Sequence, residues 1–266
     1  MHGKQRIQIP PMIDTHVHLY DQAFNADRHE VVSRAREAGV RCSILPAIDK
    51  STYQAQRDCL KQYPDFCHKA AGLHPTSVRE DYKEELGFAF HNTGGAVAIG
   101  EIGLDAYWSR DFLELQILAF EEQIGWARDL DLPLIIHSRS SFPELLRSLK
   151  RCSSPYMRGV LHAWSGSGEI FREANRYGRF MMGIGGVVTF RNARLAETVR
   201  NTDLTDIVLE TDAPWLSPVP FRGKRNESSY LTYIAEKIAQ EKQISMEKVV
   251  SQTTQNTLSL FFNKKT

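Results

Sequence analysis

Short apolar runs alternate with longer amphipathic stretches along this 266-residue chain, and that alternation constrains its fold more than any other feature. Eight runs read as strands: one ending at His18 after Pro11-Met12-Ile13-Asp14-Thr15, then 41–48, 69–74, 96–102, 134–137, 159–162, 180–184 and 206–210. Helical patterns cover 28–38, 113–130, 142–149 and 169–177, and two more, 229–241 and 245–262, follow the eighth strand. Gly39 and Gly178 stand where the first and fourth helices should close. Ser245-Met246-Glu247-Lys248 offers a cap with an acid in the first turn. Strands that alternate with crossovers form a parallel sheet with right-handed connections. Eight such units need about 250 residues when they close into a barrel. The expected fold is therefore α/β, a (β/α)8 TIM barrel, with residues 1–266 as a single domain.

In such a barrel the chemistry lies at the C-terminal ends of the strands. His16, His18, Glu101, His137, His162 and Asp212 all fall there, each closing an apolar run. His16 and His18 are two apart, so on extended backbone they share a face and converge. A lone pair of this kind arises by chance; six donors placed in this way do not. Imidazole with carboxylate suits Zn²⁺ or Mn²⁺, whereas carboxylate and water alone suit Mg²⁺. We expect two divalent ions, one on His16, His18, Glu101 and Asp212, the other on Glu101, His137 and His162, with Glu101 bridging. A two-ion centre suits phosphodiester hydrolysis, because a hydroxide bridging the ions can attack phosphorus. Asp212 is placed to orient the water or take its proton. Asp212-Ala213-Pro214 also fits a helix N-cap followed by proline.

Other residues carry less specific signals. His74, before Pro75, fits either a contact to a phosphate oxygen or a histidine packed at a turn. Arg139 follows His137 by two positions and suits a phosphate contact or a structural ion pair. Glu210, on the face of Asp212, is placed to orient a ligand histidine. Lys224 and Arg225 lie in a long Pro/Ser/Gly-rich loop, 217–229, where they either hold a nucleic-acid backbone or form an exposed basic turn. Gly183, Gly185 and Gly186 leave room for a ligand at the end of the seventh strand. Tyr107, Trp108, Trp164 and Trp215 follow donor positions and fit base stacking or rim packing.

Composition sets the remaining bounds. No apolar stretch approaches the roughly 20 residues of a membrane helix, and the first eleven residues lack the apolar core of a secretory leader. Cys42, Cys59, Cys67 and Cys152 show no CxxC spacing, as expected of reduced structural thiols in the cytoplasm. A net charge of +1 argues against a generic basic coat for nucleic acid. It is compatible with a nuclease whose metals and few local cations hold the phosphates. No apolar stripe is left over to suggest anything beyond a monomer.

Taken in order, several segments resemble the TatD family of metal-dependent deoxyribonucleases over nearly the whole chain. They are Ile13-Asp14-Thr15-His16-Val17-His18, Gly72-Leu73-His74-Pro75, Gly100-Glu101-Ile102-Gly103-Leu104-Asp105, Leu134-Ile135-Ile136-His137-Ser138-Arg139, His162-Ala163-Trp164-Ser165-Gly166 and Leu209-Glu210-Thr211-Asp212-Ala213-Pro214. Gly223-Lys224-Arg225-Asn226-Glu227 and the Thr253/Asn256 region fit as well. The resemblance implies a TIM-barrel metallohydrolase with two metal sites, acting on DNA as a 3′–5′ exonuclease, with single strands or 3′ ends as substrate. It places the metals on the donors already picked out. Ser140, Trp164 and Ser228 depart from the residues usual at those places, and none of the three is a ligand. Relatives of this barrel class cleave other bonds, for instance as D-aminoacyl-tRNA deacylases. Amide-cleaving relatives often bridge their ions with a modified lysine, where this chain has Glu101. A metal-stabilised scaffold without activity is the remaining alternative.

Overall fold

The computed structural model describes residues 11–191 and 194–263, so all but the last residue of the segment read for a leader lies outside it. Eight parallel strands pair in chain order: β1 (Met12–Asp14), β2 (Val40–Leu45), β3 (Cys67–Ala71), β4 (Ala98–Asp105), β5 (Leu134–Arg139), β6 (Arg158–Leu161), β7 (Arg179–Ile184) and β8 (Ile207–Leu209). The expected α/β barrel is thus the observed one. Helices α1 (Arg28–Glu37), α2 (Tyr53–Gln62), α3 (Tyr82–His91), α4 (Leu113–Asp129), α5 (Phe142–Arg151), α6 (Gly168–Ala174) and α7 (Leu195–Arg200) link the strands. After β8 come α8 (Leu231–Lys242) and α9 (Met246–Thr257), and a π-helical turn, Leu258–Phe262, extends the latter. No helix among the described residues is long and apolar enough to cross a membrane.

Two apolar layers explain why these runs become strands. One face of the strands packs against the helices through residues such as Leu45, Ala71, Ile99, Leu134 and Leu161. The other face fills the barrel with Ile44, Ala70, Ala98, Ile135, Val160 and Val208, and Leu260 and Phe261 of the π-helical turn pack against them. Strands buried on both faces read as continuous apolar runs, which is what the sequence shows.

The inner layer also sets the position of the chemistry. Side chains two apart share a face, so Ile135 puts His137 inside, Val160 puts His162 inside, and Val208 puts Glu210 inside. Glu101 breaks this parity, being three residues from Ala98. The register of β4 against β5 shifts between Ile99 and Ile102, and this bulge re-aims Glu101 into the barrel. Hence β4 runs beyond the expected end at Ile102 to Asp105, and Glu101 lies within the strand rather than at its tip.

Closure takes place beyond the short β1 and β8. Thr15 N–H donates to Leu209 O (3.0 Å), Asp212 N–H to His16 O (2.9 Å) and His18 N–H to Ala213 O (2.8 Å). Asp14, completely buried, reinforces this seam by accepting hydrogen bonds from Thr211 N (3.0 Å), Thr211 Oγ1 (2.6 Å) and Ser228 Oγ (2.6 Å). Helices α2, α3 and α7 had no counterpart in the expected pattern. α2 buries only Tyr53, Gln56 and Cys59, so its apolar stripe is thin and part polar.

Candidate metal centre

The expected donors converge at the C-terminal mouth of the barrel. His16, His18, His74, Glu101 and His162 are buried, while His137 and Asp212 are partly exposed. Glu101 is the hub. Its Oε2 lies 3.1 Å from His16 Nε2 and 3.9 Å from His18 Nε2. Its Oε1 lies 3.0 Å from His137 Nδ1, 3.3 Å from His74 Nε2 and 3.7 Å from His162 Nε2. Asp212 Oδ1 sits 3.6–3.8 Å from Nε2 of His16, His18 and His162. Three groups bring their donor atoms within 4.8 Å of one another: His16/His18/Glu101, His16/His162/Asp212 and His74/Glu101/His137. Glu101 is common to two groups. His162 Nε2 stands between the two carboxylates, 3.7 Å from Glu101 Oε1 and 3.7 Å from Asp212 Oδ1, its ring stacked 3.4 Å from that of His16, and His74 stands beside His137.

The donor chemistry fits a cation. Nε2 of His16 and of His18 face each other at 3.1 Å, where at most one proton fits between them. His16 Nδ1 is buried and has no partner. Among the described residues, the charged partners of Glu101 and Asp212 are all imidazoles, with no lysine or arginine. Burial pushes the Glu101 carboxyl up, but His16, His74 and His162 together hold it well below its usual range. Burial likewise opposes charge on His162 and His137, yet Glu210 and Glu101 lift the former to about 10, and Asp105 and Glu101 lift the latter to about 9. These carboxylates thus favour protons on His137 and His162, while burial keeps His16 and His74 toward the neutral form; divalent ions would replace the positive charge on the first two.

Hydrogen bonds on the outer side of each ring assign its role. Tyr20 Oη donates to Pro46 O (2.7 Å), so it accepts from His18 Nδ1 (2.8 Å), and the His18 Nε2 lone pair faces the centre. Glu210 Oε1, itself held by Ala163 N–H (2.6 Å), lies 3.0 Å from His162 Nδ1, an ion-pair approach without hydrogen-bond alignment that still places negative charge on the outer side of that ring. Asp105 Oδ2 lies 2.9 Å from His137 Nε2, which leaves Nδ1 toward Glu101. His74 is the opposite case. Its Nδ1 accepts from Thr76 N–H (3.2 Å), so the ring proton sits on Nε2, and His74 offers the centre a donor rather than a lone pair.

Asp105 and Tyr20 carried no assigned role in the sequence reading. Asp105 ends β4 directly opposite Arg139 in the β4–β5 register, a signal available only once the bulge is known. The space at Gly183 takes no ligand: a Cβ there would lie 2.1 Å from Glu210 Oε2, and one at Gly186 would lie 2.1 Å from Leu216 O. These glycines admit the protein's own groups. Asp212 caps no helix. It occupies the left-handed region (φ 57°), and its N–H is tied across the seam.

The basic loop divides. Arg225 binds Asp27 (2.6 and 2.7 Å) and Ala23 O (2.7 Å), and Glu227 binds Arg34 (2.7 Å). Asn226 Nδ2 donates to Thr211 O and Trp215 O, pinning the loop after β8. Of the two predicted phosphate contacts there, only Lys224 is exposed and outside this network. Trp164 is buried against Phe142 and Phe171, so it offers no face to a base.

The family profile described as TatD related DNase matches residues 13–262. The chain is 36% identical over 253 residues to YabD of Bacillus subtilis, an uncharacterised metal-dependent hydrolase; the match covers 94% of this chain and 98% of that protein. It is 31% identical over 261 residues to the 3′-5′ ssDNA/RNA exonuclease TatD of Erwinia tasmaniensis, covering 94% and 99%. The crystal structure of YjjV, a TatD homologue of Escherichia coli, superposes with a TM-score of 0.86 at 28% identity, over 95% of this chain and 98% of that one. With a shared fold, a full-length match and a donor set suited to metal, the chain belongs to the TatD family of metal-dependent hydrolases.

Proposed function

We propose that this protein is a metal-dependent nuclease that hydrolyses phosphodiester bonds from the 3′ end of single-stranded DNA, using two divalent ions (Mg²⁺, Mn²⁺ or Zn²⁺). The observation that carries the reading is the division of Glu101, whose two oxygens face two different sets of imidazoles. The name of the Erwinia relative supports the substrate class. His16, His18, Glu101 and Asp212 would hold one ion, and Glu101, His137 and His162 the other. Ions held there supply Lewis acidity toward a phosphoryl oxygen and toward water.

The chain's own groups do the rest. His74, with its proton fixed on Nε2, donates to a non-bridging phosphoryl oxygen, where charge grows in the transition state. Asp212 is the partly exposed carboxylate of the centre, so it can orient water and accept its proton. Tyr20, Asp105 and Glu210 hold the ligand rings in place.

End-labelled single-stranded DNA, incubated with the purified protein with and without each metal, tests the reading. A metal-dependent ladder of mononucleotide steps is expected, together with loss of both cleavage and metal binding in Glu101→Ala. Bound ions without cleavage of DNA under any metal would reject the nuclease and point to another ester, such as an aminoacyl-tRNA.

A further inference from the structure

Tyr107 and Trp108 follow β4 directly and are 53% and 76% exposed, unusual for such large apolar rings. They stand edge to face with centroids 4.9 Å apart. The Arg139 guanidinium lies 3.6 Å from the Tyr107 ring centroid and 5.6 Å from that of Trp108. Arg139 is thus stacked on aromatic rings and, among the described residues, forms no ion pair with a carboxylate. The three side chains form one cationic ledge, with the Tyr107 and Trp108 rings nearly perpendicular and the Trp108 ring the more exposed.

The ledge is tied to the metal centre through two strands. Tyr107 N–H donates to Asp105 Oδ1 (3.0 Å), and the other oxygen of the same carboxylate holds His137. Ala106 N–H donates to Arg139 O (2.9 Å), and Arg139 is two residues along β5 from His137. A cavity of about 210 Å³ opens under Trp108, between Asp105 and Thr76, the residue that orients His74. It is below the ~300–1,000 Å³ of typical drug-sized ligand sites, a size suited to a single ring system.

We propose that Tyr107, Trp108 and Arg139 form a nucleobase-stacking site that receives an unpaired base beside the scissile phosphodiester. The proposal rests on the nuclease reading and deepens it. A metal centre alone accepts any accessible phosphodiester. A stacking ledge requires a base with a free face, which a base inside a duplex lacks, so it selects frayed or single-stranded ends. It tolerates any sequence, because every base has such a face, and the guanidinium adds attraction for a stacked ring and for phosphate.

The test compares the metal-loaded wild type, Trp108→Ala and Trp108→Phe on single-stranded oligonucleotides. One oligonucleotide is intact; in the others an abasic site occupies each of the last three 3′ positions in turn. At one of these positions the wild type should lose about tenfold in kcat/KM relative to the intact strand. Trp108→Ala should lose about the same on the intact strand and nothing further on the abasic one. Trp108→Phe should restore part of the loss. Metal content should be equal in all three proteins. Equal activity of Trp108→Ala and wild type on intact strands, or an abasic penalty undiminished in Trp108→Ala, overturns the stacking site and leaves the nuclease standing. Failure of the wild type to cleave any of the strands overturns the nuclease reading itself, and the stacking site with it.

Discussion

Gly183→Ala is the most searching test of how the centre is built, because the new methyl group reaches no donor directly. Its Cβ would lie 2.1 Å from Glu210 Oε2, while ordinary contact begins near 3.4 Å, so the carboxylate must retreat by about 1.3 Å. Such a shift breaks the 2.6 Å hydrogen bond from Ala163 N–H and the 3.0 Å approach to His162 Nδ1. Overpacking of this kind costs about 1–3 kcal/mol of stability. Loss of the group that orients a ligand histidine typically costs about 10–100-fold in metal affinity. Competition against a chelator and thermal melting measure the two effects. Because both act through one carboxylate, Gly183→Ala should be nearly neutral in a Glu210→Ala background, where the obstruction is gone. An equal loss of metal affinity in both backgrounds would refute the argument that Gly183 exists to admit Glu210.

Two further substitutions probe other supports. Tyr20→Phe removes the acceptor of His18 Nδ1–H while keeping the ring, so metal affinity should fall about 10–100-fold with a modest change in stability, checked by the same chelator competition. Arg225→Ala should leave the salt dependence of DNA binding unchanged, whereas Lys224→Ala should flatten it by about one charge. The Arg225 hydrogen bond holds the Asp27 carboxyl at about 2, below its usual value of 3.8. The pair's stabilisation is therefore present above about pH 4 and lost as pH falls toward 2, a limb of under about 1 kcal/mol in a partly exposed, solvent-screened pair. Melting curves of Arg225→Ala should show a smaller limb, since Arg34 also donates to Asp27 (3.3 Å).

The barrel was legible because strands buried on both faces write their inner layer directly into the sequence as apolar runs, with His137 and His162 two residues beyond Ile135 and Val160. Of the three helices that escaped notice, α2 did so for the complementary reason: it meets the barrel through Gln56, whose amide bonds Leu45 O and Ala70 O, a contact that leaves no apolar periodicity. The donors were legible as types at strand ends, but not the proton that separates His74 from His18. That difference depends on Thr76 and Tyr20, whose partners are set by local turns and by distant strands. Nor was the bulge in β4 visible, and with it the role of Asp105. Arg225 looked like a phosphate ligand because its partner, Asp27, is remote in sequence.

The seam that closes the barrel would give a bound metal a second role. His16 and His18 follow the first strand, Asp212 follows the last, and backbone hydrogen bonds link the two sides at those same residues. An ion gripped by all three works as a clasp on a loop that includes most of the polypeptide, the case in which a crosslink most restricts the unfolded ensemble. During synthesis, a chain that has not yet emitted Asp212 lacks one jaw of this clasp. Metal uptake would then report that the final strand has arrived, and stripping the ion should loosen the ring at its join.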